Sequence, residues 1–280
     1  MNLPKSPYYT ERVHRSYRDM FTVVWLLTRD CNFSCRYCYQ PEIKLAPFAL
    51  DKFIEKLDEL PKPFRVQITG GEPMIFHWMI KCIQKIGSIG GKVELQTNFS
   101  LQVRELLDNT SPEYLEFILA SYHPVERARV IPNGVQKFID DILYARSKGF
   151  YVMTWHIDDP RIGVEQFLTD CKVLYDAGIV PVRKRYTGPE GGGQVGDAIT
   201  PEIFDVRGKR CRAGHKSFVI WENFDITPCD HDRTPLGNLF TGYKVSDAPW
   251  VCSKPFCGCG GRELLVDKFY DEFFQKEFGG

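Results

Sequence analysis

Three of the chain's ten cysteines, Cys31, Cys35 and Cys38, fall in the eight residues "CNFSCRYC", directly behind the apolar run "FTVVWLLT". Thiolates ligate soft metals and iron–sulfur clusters. Three of them on one loop can hold three irons of a cubane cluster and leave the fourth iron open to an outside ligand. An open corner suits chemistry in which a small molecule chelates iron and receives an electron. Four rival readings are weaker. Structural zinc needs four closed ligands, and His77, the nearest further candidate, is distant in sequence. A disulfide with one spare thiol is disfavoured in a reducing compartment, and three unligated thiols on a short loop would oxidise. A closed four-cysteine electron-transfer cluster would have to borrow its last ligand from the tail.

A second group of cysteines lies at 211, 229, 252, 257 and 259, whereas Cys82 and Cys171 stand alone. Cys82 shares a helical face with Ile75, Met79, Ile83 and Ile86, and Cys171 is spaced in the same way from Phe167, Leu168 and Leu174. That periodicity reads as core packing, since a buried free cysteine behaves as a small apolar side chain.

The segments that must position these residues alternate in type. Strands are expected at "FTVVWLLT", "RVQIT", "KVELQT", "EFILAS", "YVMTWHI" and "VPVRKRY". Amphipathic helices are expected at "ALDKFIEKLDEL", around Cys82, and at "LQVRELLD", "GVQKFIDDILYARSK" and "GVEQFLTDCKVLYD". Six strands joined by crossover helices predict an α/β fold with a parallel sheet covered by helices on its outer face. The strands look apolar enough for burial on both faces. Reactive groups then gather at the carboxyl ends of the strands. "GPEGGGQVG" marks the change to a Cys-rich tail. The division expected is an extension over 1–19, a core over 20–190 and a tail domain over 191–280. The tail closes with an amphipathic packing helix, "RELLVDKFYDEFFQKEF".

Lys+Arg and Asp+Glu are both 36 among 280 residues, so no global charge draws the chain to a membrane or to nucleic acid. The first nineteen residues lack the apolar stretch of a signal peptide, and no run is long enough to span a bilayer. A cytoplasmic location is the expectation, and there ten cysteines call for metal.

The spacing CxxxCxxC, with Tyr37 before the third cysteine, resembles the radical S-adenosylmethionine (SAM) superfamily. "TGGEP", Thr69 to Pro73, follows the second expected strand as that family's SAM-binding turn does. The resemblance covers most of residues 20–187 and implies a partial (β/α)6 barrel, a [4Fe–4S] cluster on Cys31, Cys35 and Cys38, and SAM as cofactor. It implies that Gly70 and Gly71 bring backbone close to the methionine amino group and that Glu72 adds an acceptor. Pro73 fixes the turn, and the Tyr37 backbone meets the adenine. Asn98, Ser121 and Arg129 are weaker assignments of the same kind, with Arg127 as the alternative to Arg129 for the SAM carboxylate. His123 stands where the family often has aspartate.

The tail resembles the accessory domains called SPASM and twitch, through Cys211, "ITPC" ending at Cys229, and "LGNL" at 236–239. The glycine expected in its hairpin is absent, with "ENFD" as the turn. The resemblance implies one auxiliary [4Fe–4S] cluster on four of Cys211, Cys229, Cys252, Cys257 and Cys259. A zinc ribbon remains the alternative, because closed thiolate sites suit both metals.

Substrate is expected against the ends of strands four to six, where His156, Asp158, Arg183 and Tyr186 are candidates to orient it or move a proton. The expected reaction is reductive SAM cleavage to a 5′-deoxyadenosyl radical that abstracts hydrogen from a peptide. The alternatives are radical dehydrogenation or rearrangement of a small sugar, alcohol or amine, and a non-catalytic zinc-binding interaction module. Only about twenty residues precede the first strand, so no fused leader-binding domain is expected, which weakens the peptide reading. A low-potential donor such as flavodoxin or ferredoxin completes the expected partners.

Overall fold

The computed structural model describes residues 20–38, 44–159, 161–185, 207–230 and 232–253, with the backbone alone for 183–185. The N-terminal extension, the C-terminal helix, Tyr186, Cys257 and Cys259 lie outside the described residues, as does the side chain of Arg183.

Six strands run parallel and in chain order: β1 (Phe21–Thr28), β2 (Phe64–Gly70), β3 (Lys92–Thr97), β4 (Leu115–Tyr122), β5 (Val152–Asp158) and β6 (Pro181–Arg185). Between them lie α1 (Leu50–Asp58), a 3-10 turn (Pro73–Ile75), α2 (Met79–Ser88), α3 (Val103–Asn109), α4 (Pro124–Val130), α5 (Gly134–Ser147) and α6 (Val164–Asp176). Parallel neighbours require such crossovers, and the result is a partial (β/α)6 barrel. The short helix α4 is an addition to the expected elements: Pro124 starts it, and its seven residues give too little apolar periodicity to announce it.

The two faces of the sheet differ more than the strand composition suggests. On the helix side Val23, Trp25, Leu27, Val66, Ile68, Val93 and Leu95 form one core with Phe53, Leu57, Cys82, Ile83 and Ile86. The alternate residues face inward, and over β1–β3 many are polar. Arg65 and Glu94 pair at 3.0 Å with both side chains fully buried, and Arg65 Nε donates to Thr22 Oγ1 at 3.2 Å. Over β4 and β5 the inward face is apolar, with Phe117, Leu119 and Met153 packed against Trp155. Burial of both faces is therefore right, but one face is buried by polar pairing. Cys82 and Cys171 are both buried, as expected of core thiols.

The tail joins the same sheet. Beyond β7 (Arg210–Cys211), β8 (Ser217–Ile220) pairs in parallel with the free edge of β1, from Thr22↔Ser217 to Trp25↔Ile220. Strands β9 (Asp225–Thr227), β10 (Gly237–Asn238) and β11 (Gly242–Tyr243) extend it antiparallel. The β8–β9 turn puts Phe224 at φ 66°, where a glycine would be at ease. Its ring packs 4.7 Å from Phe240 and 5.1 Å from Phe48. A strained non-glycine conformation costs about 1–3 kcal/mol. Burying a phenylalanine contributes a comparable ~1.5–3 kcal/mol, so the missing glycine is tolerated.

Candidate active site and metal centres

The cysteine loop leaves β1 at the carboxyl end of the sheet, and neighbouring strands hold it there. Asn32 Oδ1 accepts from Asn98 Nδ2 at 2.8 Å. Ser34 N donates to Glu126 Oε2 at 3.1 Å, and the Phe33 ring lies edge-on to His123. Tyr37 Oη is hydrogen-bonded to His123 Nδ1. His123, standing where the resemblance implies an aspartate, thus pins the aromatic residue beside the third cysteine. Burial pushes the Cys35 thiol up to about 12 and raises that of Cys31. Metal binding must therefore displace protons from this loop.

The Gly70–Gly71 turn is laced to the chain entering the loop: Gly71 N donates to Thr28 O at 2.6 Å and Glu72 N to Asp30 O at 2.9 Å. A Cβ on Gly70 would lie 2.1 Å from Thr28 O, and one on Gly71 2.0 Å from Asp30 O. Both glycines are demanded by the approach of β1's end, independently of any ligand. Glu72 is not available in the way expected. Its side chain is fully buried and accepts from Thr97 Oγ1 at 2.7 Å, Met74 N at 2.9 Å and Asn98 N at 2.5 Å. It ties the turn to the end of β3, and Pro73 is buried behind it.

Cys31, Cys35, Cys38, Tyr37, Gly70, Gly71, Asn98 and Ser121 all line one cavity of about 300 Å³. Val24, Leu26, Arg29, Phe33, Gln67, Thr69, Gln96, Thr97, His123, Trp155, Ile157 and Asp230 complete its wall. Among the described residues no three of His, Cys, Asp and Glu stand close enough to hold a single metal ion. Three thiols spread along one wall suit a cluster instead, with one thiolate for each of three irons. The residues present therefore fit a [4Fe–4S] cluster with a small organic molecule beside it.

Three expected site residues lie elsewhere. Trp155 and Ile157 line the cavity, so by strand alternation His156 and Asp158 belong to the opposite face. His156 is 3% exposed, stacks on Phe167 at 4.8 Å, and sits 3.3 Å from Tyr122 O and 3.4 Å from Asp170 Oδ2. The expectation of a substrate-facing role is corrected for both; the strand was recognised but its phase was not. Arg129 holds Glu126 Oε2 at 2.6 Å on the outside of α4 and does not reach the cavity. Arg127, the alternative, is fully buried over the Phe138 ring at 4.1 Å, where burial lowers its pKa to about 10. It donates from Nη2 to Asn98 O. Sequence reading missed Trp155, Gln67 and Gln96, although alternation counted from the apolar helix-side residues of β2 and β3 identifies the two glutamines.

Replacing His156 by alanine is expected to lower stability by about 2–3 kcal/mol, from lost packing and an abandoned hydrogen bond. Ligand affinity should change little. Trp155→Ala should do the reverse, weakening ligand binding about tenfold with a smaller shift in Tm. Thermal melts beside equilibrium binding of SAM measure both, and equal effects on affinity would contradict the face assignment.

In the tail, Cys211, Cys229 and Cys252 pack together with Ala213 and Trp250. Pairing of β7 with β12 (Trp250–Val251) sets Cys211 opposite Trp250 and brings Cys252 alongside. Cys211 Sγ accepts from Ala213 N at 3.5 Å and Cys229 Sγ from Asp232 N at 3.2 Å. Backbone N–H groups aimed at sulfur stabilise thiolates and their clusters. Cys252, the least secure of the five on sequence, stands with the firmest two.

Residues 25–158 match the family model of the radical SAM superfamily. This stretch is a radical SAM domain. Domains of this superfamily use a [4Fe–4S] cluster and SAM. A Methanocaldococcus jannaschii protein named for glycyl-radical enzyme activation is 25% identical over 134 residues, which are 47% of this chain and 51% of that one. The chain thus spans about half the length of that curated relative. Two solved structures share the fold. Streptococcus suis SuiB bound to the precursor peptide SuiA has a TM-score of 0.58 at 15% identity, over 82% of this chain and 65% of that one. The structure of anSMEcpe with AdoMet and the Cp18Cys peptide gives 0.58 at 13% identity, over 91% and 95%. The radical SAM match ends at Asp158, so β6 and the tail lie beyond it. No described helix is long and apolar enough to cross a membrane.

Proposed function

We propose that this chain is a radical SAM enzyme that cleaves SAM reductively and abstracts hydrogen from a peptide substrate, modifying it. One observation carries the reading: all three loop thiols share a cavity with the Gly70–Gly71 turn and the carboxyl ends of β1 to β5. Bound there, the cluster and SAM supply the 5′-deoxyadenosyl radical. The protein's part is to hold and exclude. Cys31, Cys35 and Cys38 bind the cluster through three irons, and Asn98 and Tyr37 keep the loop in place. Gly70 and Gly71 let the turn close against the end of β1, and with Ser121 they line the space for SAM at the strand ends. Trp155 and Ile157 form a dry wall that keeps water from a reactive carbon.

The peptide reading draws on the two fold relatives, whose structures hold peptides. It also draws on the tail, where Cys229 stands one residue from the cavity-lining Asp230. Cys211, Cys229 and Cys252, with a fourth ligand from Cys257 or Cys259, are proposed to hold an auxiliary [4Fe–4S] cluster near the substrate. Arg183, in β6, and Tyr186 remain candidates for substrate contact. The proposed electron donor is a low-potential flavodoxin or ferredoxin.

Anaerobic reconstitution tests this directly. About eight irons per chain, from two four-iron clusters, are expected, with 5′-deoxyadenosine formed from SAM under a strong reductant. About four irons with one zinc would make the tail a structural site. Zinc without SAM cleavage would overturn the proposal. Incubation with candidate peptides, followed by mass spectrometry for loss of hydrogen, tests the substrate class, and turnover of a sugar or amine instead would refute the peptide.

A further inference from the structure

Two residues in the cavity wall, Arg29 and Asp230, carry a full charge at neutral pH. The strand-borne wall between them is neutral: Val24, Leu26, Trp155 and Ile157 are apolar, and Gln96 Oε1 accepts from Thr69 Oγ1 at 2.9 Å. Arg29 is half-buried just past the end of β1. Its backbone is fastened on both sides, because Gly71 N donates to Thr28 O and Glu72 N to Asp30 O. Its guanidinium is not: among the described residues neither Arg29 nor Arg233 of the tail has a hydrogen-bond or salt-bridge partner. Arg233 lies over the Trp221 ring at 3.4 Å, a stacking that leaves the N–H edge of its guanidinium open. Partial burial, and next the charge of Arg29, hold Arg233 below the ordinary arginine range, with Glu222 and Asp230 offsetting part of that. Two guanidiniums with open N–H groups thus repel each other beside the cavity, and an anion shared between them relieves the repulsion.

We propose that Arg29, seconded by Arg233, binds a carboxylate of the substrate, the side chain of an aspartate or glutamate in the peptide, and so sets which part of it enters the cavity. This rests on the peptide reading above. A guanidinium meets a carboxylate through two parallel hydrogen bonds, and partial burial makes that pairing stronger than one on an open surface. The fastened backbone of Arg29 spares part of the ordering cost of binding. A single negative charge suits the site better than a phosphate, which brings roughly two, because Glu222 and Asp230 already offset part of the positive charge. The position favours substrate over SAM. The tail joins the sheet at the free edge of β1, so Arg29 and Arg233 stand on that side, whereas Asn98 and Ser121 belong to the β3 and β4 side of the cavity. Beyond the anchor the neutral wall offers a second charge no partner, so the neighbouring side chain of the substrate should be uncharged.

Two blocked amino acids serve as probes: N-acetyl-glutamate α-amide, which carries the side-chain carboxylate alone, and its neutral counterpart N-acetyl-glutamine α-amide. Each is titrated by calorimetry into the reconstituted full-length protein, with SAM at saturation so that SAM's own carboxylate is already seated, and without reductant. The acidic probe is expected to bind about tenfold more tightly than the neutral one. Arg29→Gln should remove most of that preference, and Arg29→Lys should restore part of it, as a point charge without the planar fork. Arg233→Gln should cut the preference about threefold. The affinities of SAM and of the neutral probe should stay within about twofold in every variant. Equal binding of the two probes by the parent protein, or a full preference in Arg29→Gln, would overturn the site. So would a loss of SAM affinity that matches the loss of the acidic probe, because the carboxylate at Arg29 would then be SAM's. Should Arg29→Gln lose its iron, Arg233→Gln decides, and an unchanged preference there overturns the proposal. Because binding is the readout, a parent protein that prefers the acidic probe yet neither cleaves SAM nor modifies peptides would sink the enzyme reading and leave this site standing.

Discussion

Cys35→Ala is expected to remove about four irons per chain and to lower 5′-deoxyadenosine formation by about a thousandfold or more, beyond the roughly 10–100-fold typical of groups that only support a ligand. The reason is the ligand count. The loop offers three thiols, and the described residues place no other cysteine in the wall of that cavity. With two thiols left, neither the cluster nor its open corner can be held. Cys82→Ala supplies the contrast. That thiol is fully buried in the helix-side core, so its loss should lower Tm and spare the iron. Iron and sulfide analysis with chromatographic assay of SAM products measures both variants. A Cys35→Ala protein that retained its iron and still cleaved SAM would remove the basis for assigning the first cluster.

The second large effect concerns a residue without a side chain. A methyl group on Gly71 would sit 2.0 Å from Asp30 O and 2.7 Å from the carbonyl carbon of Arg29. Both obstacles are backbone, and both belong to the segment that leads into Cys31, so no rotamer change relieves them. Two hydrogen bonds fasten the same contact, Gly71 N to Thr28 O and Glu72 N to Asp30 O. At about 1 kcal/mol each, their loss with the clash should destabilise the junction by some 2–3 kcal/mol. That corresponds to a roughly 30- to 150-fold weaker hold on cluster and SAM together. Gly71→Ala should therefore purify with less than half the iron of the parent protein while keeping its helix signal in circular dichroism. Because all three thiols survive, excess iron and sulfide should restore part of the cluster, which they cannot do for Cys35→Ala. Normal iron content and normal SAM affinity in Gly71→Ala would mean that the approach of turn and loop is not needed.

The two variants separate what the residues say from what the fold says. The cysteine spacing, the Gly-rich turn and the alternation of strands with helices are local features. Each is fixed by chemistry within a few residues, so sequence alone determined the parallel α/β sheet with its crossover helices, the first thiol group and the place of the turn, while the barrel was what the resemblance implied. Core thiols were legible for the same reason, because helical periodicity puts Cys82 and Cys171 with their apolar neighbours. Long-range contacts were not. Whether His156 or Trp155 faces the cavity depends on the phase of β5, whose apolar residues Met153, Trp155 and Ile157 stand on the inward face, the reverse of β1–β3, so its own pattern misleads about phase. That Arg129 serves Glu126 while Arg127 is buried depends on a seven-residue helix. The tertiary structure alone decided that Glu72 spends its carboxylate on β3, that β8 adds to the edge of β1, and that Cys252 joins Cys211 and Cys229. These are pairings between residues 23 to 195 positions apart, set by which surfaces can be buried against one another, and no local stretch of sequence encodes them.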